Sequence, residues 1–311
     1  VSSPRPQTSA VDAPLQATAD FYATHPATLA LRAALGAGQR LWPGLAVRLA
    51  QRLFGTPLPP RGFRRARSWG AGWQRQDWPF ERASLSLHGL APGSGPADAS
   101  APWVLLVHGW GGHAGQMRAL AQALSTRGIR PVLLDLPAHG ASRGRTSNLP
   151  QFARAIDYVV ARTMQSQLAP HAVVAHSLAA NALAFAASRG LPAGRLVLLA
   201  PPASPLAYTR LFARSFGLRE PLRAAMQQRI EAREGIVMSQ FEPDASGPRV
   251  AQPTLVIHDR ADRVNPFADG EAFAAAIPGA RLLATEGLGH ARLLRQPAVI
   301  AAVADFLDPA I

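Results

Sequence analysis

Six short apolar runs alternate with segments of helical periodicity between residues 103 and 307, and this rhythm constrains the fold more than any other feature. Trp103–Val107 (WVLLV) is uncharged and continuous, as a strand buried on both faces must be. A helix is predicted over Ala114–Arg127, stopped by Gly128. The next strand is predicted at Pro131–Leu136 (PVLLDL). Leu149, Phe152, Ala153, Ile156, Val159 and Val160 then recur at helical spacing. Ala172–Ala175, Arg195–Ala200, Thr254–His258 and Ala280–Ala284 read as further strands, and Leu178–Ser188, Ala268–Ala276 and Val299–Leu307 as helices. Such alternation predicts an α/β fold with a mostly parallel central sheet flanked by helices on both faces. Pro201 to Pro248 interrupts the rhythm with two helical segments.

Residues 1–68 differ in kind. Leucines from Leu29 to Leu53 recur among Arg32, Arg40, Arg48 and Arg52, which predicts short amphipathic helices before Pro57, Pro59 and Pro60. Strands are predicted near Trp69–Arg75 and Ala83–Leu87, and a loop over Ala91–Pro102. The expected organisation is an N-terminal helical, Arg-rich extension over 1–68 and one α/β domain over 69–311.

Composition removes several chemistries. All 32 cationic side chains are Arg, so no Schiff-base lysine and no P-loop lysine exist. There is no Cys, hence no disulfide, thiol nucleophile or Cys-ligated metal. No metal-ligand spacing is evident among the nine His, and no cofactor is expected. Val1 to Asp20 is polar with no apolar signal core, and the uncharged stretch Thr163–Ser188 contains Pro170, His171 and His176. A soluble, cytoplasmic protein is the expectation. Of the net charge of +13, residues 1–85 carry +7, from eleven Arg against four acids.

In parallel sheets chemistry gathers beyond the carboxyl ends of the strands. Three such ends carry reactive residues. Ala175-His176-Ser177-Leu178-Ala179 has the form of a strained strand-to-helix turn that lifts a Ser above the sheet, with Ala at both positions usually held by Gly. The alternative is a Ser capping a helix. Asp262 lies past the strand Thr254–His258, with Asp259 as its competitor and Arg260 and Arg263 as plain charge partners. His290 follows the strand Ala280–Ala284 in Glu286-Gly287-Leu288-Gly289-His290.

The order Ser…Asp…His resembles that of the α/β-hydrolases, and the resemblance extends upstream. His108-Gly109-Trp110-Gly111-Gly112 looks like their oxyanion loop, Asp135-Leu136-Pro137-Ala138-His139-Gly140 like the segment after the next strand, and D-x-V-x-P at Asp262 like the acid loop. The resemblance covers about Trp69 to Leu307. It implies the α/β-hydrolase fold with a helical lid at about 201–248. It also implies a serine hydrolase acting on a carboxylic ester, with nucleophile Ser177, base His290 and orienting acid Asp262. The oxyanion donors would be the backbone N–H groups of Trp110 and Leu178. A thioesterase, amidase, C–C hydrolase or acyltransferase would use the same groups. The substrate is expected to be a small acyl compound with an apolar group under the lid; its contact residues are not legible.

Two readings of other classes compete. Gly109-Trp110-Gly111-Gly112-His113-Ala114, with Asp135 ending the next strand, fits a dinucleotide fingerprint and hence an oxidoreductase. A bulky Trp in the phosphate turn opposes that. Arg61, Phe63, Arg64, Arg65, Arg67, Trp69, Trp73, Arg75 and Trp78 interleave cations with aromatics, as a non-catalytic binder of nucleic acid or an anionic membrane would. The remaining histidines read as structural. His176 is expected to point away from the attack, and His25, His88, His113, His171 and His258 show no evident partner.

Overall fold

The computed structural model describes residues 26–57, 69–91, 93–94 and 101–308. The segment holding Arg61, Phe63, Arg64, Arg65 and Arg67 lies outside the described residues, as does the expected boundary at residue 68.

An eight-stranded sheet forms the centre, in the order β1-β2-β4-β3-β5-β6-β7-β8. β1 (Trp73–Phe80) and β2 (Ala83–Leu90) pair antiparallel, and β2 pairs antiparallel with β4 (Arg130–Asp135). From β4 through β3 (Trp103–Val107), β5 (Ala172–His176), β6 (Arg195–Leu199), β7 (Thr254–Asp259) and β8 (Arg281–Thr285) every pairing is parallel. β3 sits between β4 and β5, with Leu105 opposite Val132 on one side and Val173 on the other. The chain winds outward from β3 in both directions, so the switch point where such sheets bind ligands lies at the carboxyl ends of β3 and β5.

The unbroken apolar runs are explained by two-sided burial. All five residues of β3 are buried. With the two-residue period of a strand, Leu105 and Val107 enter one apolar cluster and Val104 and Leu106 the other. Seen from the first face, the sheet is covered by α4 (Leu149–Thr163) and α5 (Leu178–Ala187); the second face is covered by α3 (Arg118–Thr126) and α11 (Pro297–Phe306).

Some boundaries differ from expectation. The helix predicted from Ala114 begins as a 3-10 turn, Ala114–Met117, and becomes α-helical only at Arg118. The Ala114 N–H is turned aside to donate to Asp135 Oδ1 at 2.6 Å. The strand near Trp69–Arg75 runs instead over Trp73–Phe80, because Trp69 stacks on the His88 ring at 3.9 Å. Pro79 is tolerated there since β1 is an edge strand.

The β6–β7 connection contains α6 (Pro205–Phe216), α7 (Glu220–Glu234), a 3-10 turn at Met238–Phe241 and the single turn α8 (Pro243–Ser246). α1 (Pro26–Leu41) and α2 (Pro43–Phe54) pack on it. Leu35 and Ala50 share an apolar cluster with Met226, Ile230 and Met238. The N-terminal helices are thus joined to this connection through common buried side chains. Short helices α9 (Phe267–Ala276) and α10 (Gly289–Arg292) follow β7 and β8.

Candidate active site

Ser177 stands alone between the last residue of β5 and the first of α5, with φ 56° and ψ −130°. That is the left-handed region, which a residue with a Cβ occupies only under strain. The turn is pinned by its own backbone: Ser177 N–H donates to the Leu199 carbonyl at 2.8 Å, and its carbonyl accepts from Ala180 N–H at 2.8 Å. Ala175 and Ala179 are fully buried in one apolar cluster, so the two extra methyls are absorbed by core packing. The hydroxyl does not cap α5. It lies 3.0 Å from His290 Nε2.

His290 Nδ1 lies 2.7 Å from Asp262 Oδ2. Burial opposes the charge of Asp262. Hydrogen bonding from His258 and His290 and from the Val264 N–H outweighs it and holds the carboxyl well below the usual carboxylate range. An ionised Asp262 accepts the Nδ1 proton, which leaves Nε2 with a lone pair facing the serine hydroxyl.

Asp259, the competing acid, takes other partners. It accepts from the N–H groups of Ala261, Leu288 and Gly289 at 2.9–3.0 Å and from the Thr285 hydroxyl at 2.7 Å. It therefore anchors the loop that presents His290. Asn265 has a similar office on the other side: its N–H donates to Asp262 Oδ1 at 3.0 Å and its amide to the Ala200 carbonyl at 2.7 Å, while the Tyr208 hydroxyl donates to its Oδ1. Neither role has a local signal, since most of the partners lie on other segments.

The loop after β3 meets the serine directly. A Cβ on Gly109 would fall 2.7 Å from Ser177 Cβ, so only glycine allows this approach. Trp110, the next residue, lays its indole against His139 and Phe152, with ring centroids 5.2 and 5.8 Å apart. The Leu178 N–H belongs to the first turn of α5, whose donors have no acceptor within the helix. His108 is fully buried; Nδ1–H donates to the Gly109 carbonyl at 2.7 Å and Nε2 accepts from Leu136 N–H at 3.2 Å, which fixes its tautomer.

Asp135 is a hub of this scaffold. It accepts from His88 Nε2 at 2.9 Å, Ala114 N–H at 2.6 Å and Ala141 N–H at 2.9 Å. Burial opposes its charge, but His88, His108 and the two N–H groups outweigh it, and its pKa falls to about 2. A carboxylate engaged in this way binds no ribose, which removes the residue on which a dinucleotide reading depends.

Several histidines expected to lack partners have them. His88 pairs with Asp135, His171 Nε2 donates to the Leu307 carbonyl at 2.9 Å, and His258 Nε2 donates to the Asn265 carbonyl at 3.1 Å. His176 does not simply point away. Its ring lies 4.6 Å from the His290 ring and Nε2–H donates to the His290 carbonyl at 3.1 Å. Burial, and next the neighbouring His290, push His176 down to about 3, so it stays neutral and acts as a prop. Among the described residues no group of three or more His, Asp or Glu is arranged to hold a metal ion. A surface cleft of about 450 Å³ opens beside His290, lined by Arg263, Val264, Gly287 and Arg292 among others.

Comparison with known proteins agrees with the fold. A solved hydrolase from Pseudomonas aeruginosa superposes with a TM-score of 0.59 at 22% identity, over 76% of this chain and 99% of that one. An esterase from Pyrococcus furiosus gives 0.57 at 17% identity, over 78% and 97%. Among curated proteins, the magnesium-chelatase 30 kDa subunit of Rhodobacter capsulatus is 30% identical over 127 residues, 39% of this chain and 43% of that protein, so the match spans less than half of that relative's length. The model of the alpha/beta hydrolase family matches residues 104–303, from the second residue of β3 into α11, and takes in Ser177, Asp262 and His290. With this match and the switch point between β3 and β5, the chain belongs to the alpha/beta hydrolase family.

Proposed function

We propose that the protein is a serine hydrolase that cleaves a carboxylic ester through an acyl-enzyme on Ser177. One observation carries the reading: the continuous chain Ser177 Oγ, His290 Nε2, His290 Nδ1, Asp262 Oδ2, with gaps of 3.0 and 2.7 Å.

His290 takes the Ser177 proton as Oγ attacks the carbonyl carbon, and Asp262 stabilises the imidazolium that forms. The oxyanion accepts from the N–H groups of Trp110 and Leu178, each of which contributes about 10²–10³ in rate in comparable sites. His290 then protonates the leaving alkoxide, and the ester C–O bond breaks. Water, activated by the same imidazole, releases the acid and regenerates the serine. The strained φ of Ser177 and the glycine at 109 keep nucleophile and oxyanion loop within reach.

The β6–β7 connection (201–248) is read as the lid. The Asn181 amide on α5 donates to the carbonyls of Pro202 at 2.8 Å and Phe241 at 3.0 Å, which tethers both ends of the connection to the nucleophile helix. The esterase named among the structural neighbours supports an ester as the bond. Thioester, amide and C–C substrates, and acyl acceptors other than water, are the alternatives on the same groups.

A fluorophosphonate probe tests the mechanism without the natural substrate. Wild type is expected to be labelled at Ser177 and to hydrolyse short p-nitrophenyl esters; Ser177→Ala is expected to do neither. Folded wild type left unlabelled at Ser177 would remove the proposal, and labelling without ester turnover would redirect it to another acyl bond.

A further inference from the structure

The solvent side of the N-terminal helix pair has the composition of a surface that sits on lipid. The chain turns from α1 into α2 at Trp42, and every residue from Arg40 to Leu45 is exposed. Leu41, Trp42 and Leu45 are 63%, 64% and 61% exposed. Leu49 continues this face one turn on, and Leu29 extends it at the other end of α1. Half of the large exposed hydrophobics among the described residues fall on this one pair; the rest are scattered. α1 adds exposed Ala33, Ala34 and Ala37 where a helix facing water carries charge.

The charge here has one sign. Residues 26–57 contain Arg32, Arg40, Arg48 and Arg52 and no acid. On α2, Leu45, Arg48, Leu49 and Arg52 stand at the i, i+3, i+4, i+7 spacing of a single face, and all four are exposed. The inner side is already occupied, with Leu35 and Ala50 buried against Met226 and Ile230. The exposed side is the face this packing leaves over.

We propose that this helix pair docks the protein on an anionic lipid bilayer, with Leu41, Trp42 and Leu45 inserted among the headgroups and Arg40, Arg48 and Arg52 paired to lipid phosphates. An indole suits the boundary between headgroup and acyl chain, and Arg stems lie along apolar surface while their guanidiniums reach phosphate. A second copy of the chain fits less well. A two-fold contact through this face would bring one all-cationic set, Arg40, Arg48 and Arg52, up to another, with no acid in the helix pair to offset them.

Sedimentation of the full chain with vesicles tests this. Wild type is expected to bind vesicles containing phosphatidylglycerol, to leave them as salt rises, and to ignore pure phosphatidylcholine. Arg40→Gln/Arg48→Gln/Arg52→Gln is expected to weaken partitioning about fivefold per Arg removed, roughly a hundredfold together. Leu41→Ser/Leu45→Ser is expected to abolish it. Brominated lipid should quench tryptophan emission in wild type and much less in Trp42→Phe. The substituted side chains are exposed, so unchanged circular dichroism and melting are expected to show each variant folded. Ser177→Ala is expected to bind vesicles like wild type, which separates this proposal from the hydrolase reading. Equal sedimentation of wild type and the Leu variant would overturn it. So would a dimer that the Leu variant dissolves while neither protein binds vesicles.

Discussion

Asp259 and Asp262 lie three residues apart, yet one holds backbone and the other holds an imidazole. Asp262→Asn is expected to lower kcat on a p-nitrophenyl ester about 10⁴-fold, as in the Ser-His-Asp template, because an amide can donate to Nδ1 and favours the wrong tautomer. Asp259→Ala strands the N–H groups of Leu288 and Gly289, each about 1–3 kcal/mol if left unsatisfied. It is expected to lower the melting temperature and slow probe labelling at Ser177. A melting temperature equal to wild type would refute the anchoring role. At this scale the sequence was partly legible. Ser177, Asp262 and His290 stood out because each follows an apolar run and they come in the hydrolase order. The roles of Asp259, Asn265 and His176 were not legible, because each acts on a backbone or side chain from a distant loop. Ala175 and Ala179 depart from the usual glycines of such a turn; whether their methyls fit depended on core packing, which no pentapeptide contains.

Elements were legible where one physical cause dominated. Strands buried on both faces announced themselves as runs of Val, Leu and Ala, and β3, β5 and β7 lie where those runs lie. β1 was placed four residues early. It is a polar edge strand, exposed along most of its length, and its start is decided by Trp69 stacking on His88. The helical segments of the β6–β7 connection were visible, but the partnership of α1 and α2 with α6 and α7 was not, since amphipathic periodicity names a buried face without naming what covers it. That partnership has a consequence. Leu35 is 1% exposed and packs with Met226 and Ile230. Leu35→Ala is expected to cost about 2–5 kcal/mol of local packing. Hydrogen exchange should then quicken in 26–54 and 205–234 while β3 and β5 keep their protection. Uniform quickening across the sheet would mean that the helix pair is part of the global folding unit.

The whole molecule carries 32 guanidiniums that stay charged at every accessible pH, against 19 acids. Acid therefore only adds to self-repulsion, and the buried carboxylates decide where folding fails. Asp135 is the informative one, because it ties β4 to β2, to the turn at Ala114 and to the loop at Ala141. Its neighbour Gly140 has φ +49°, and a Cβ there would lie 2.0 Å from Asp135 Oδ1, so the loop is wrapped around the carboxylate. The folded pKa of about 2 lies below the ordinary aspartate value of 3.8. The folded state thus prefers the charged form. The stabilisation is fully present above the unfolded value, and it is lost as pH falls through the folded one. The shift corresponds to about 2 kcal/mol. In urea titrations, wild type is expected to exceed Asp135→Asn in stability by at least that amount at neutral pH. The excess should hold down to about pH 4 and shrink by about 2 kcal/mol between pH 4 and pH 2. A gap that stays constant through that window would show that Asp135 holds the fold by shape and hydrogen-bond count alone. Its charge would then be irrelevant to the acid sensitivity of this arginine-rich chain.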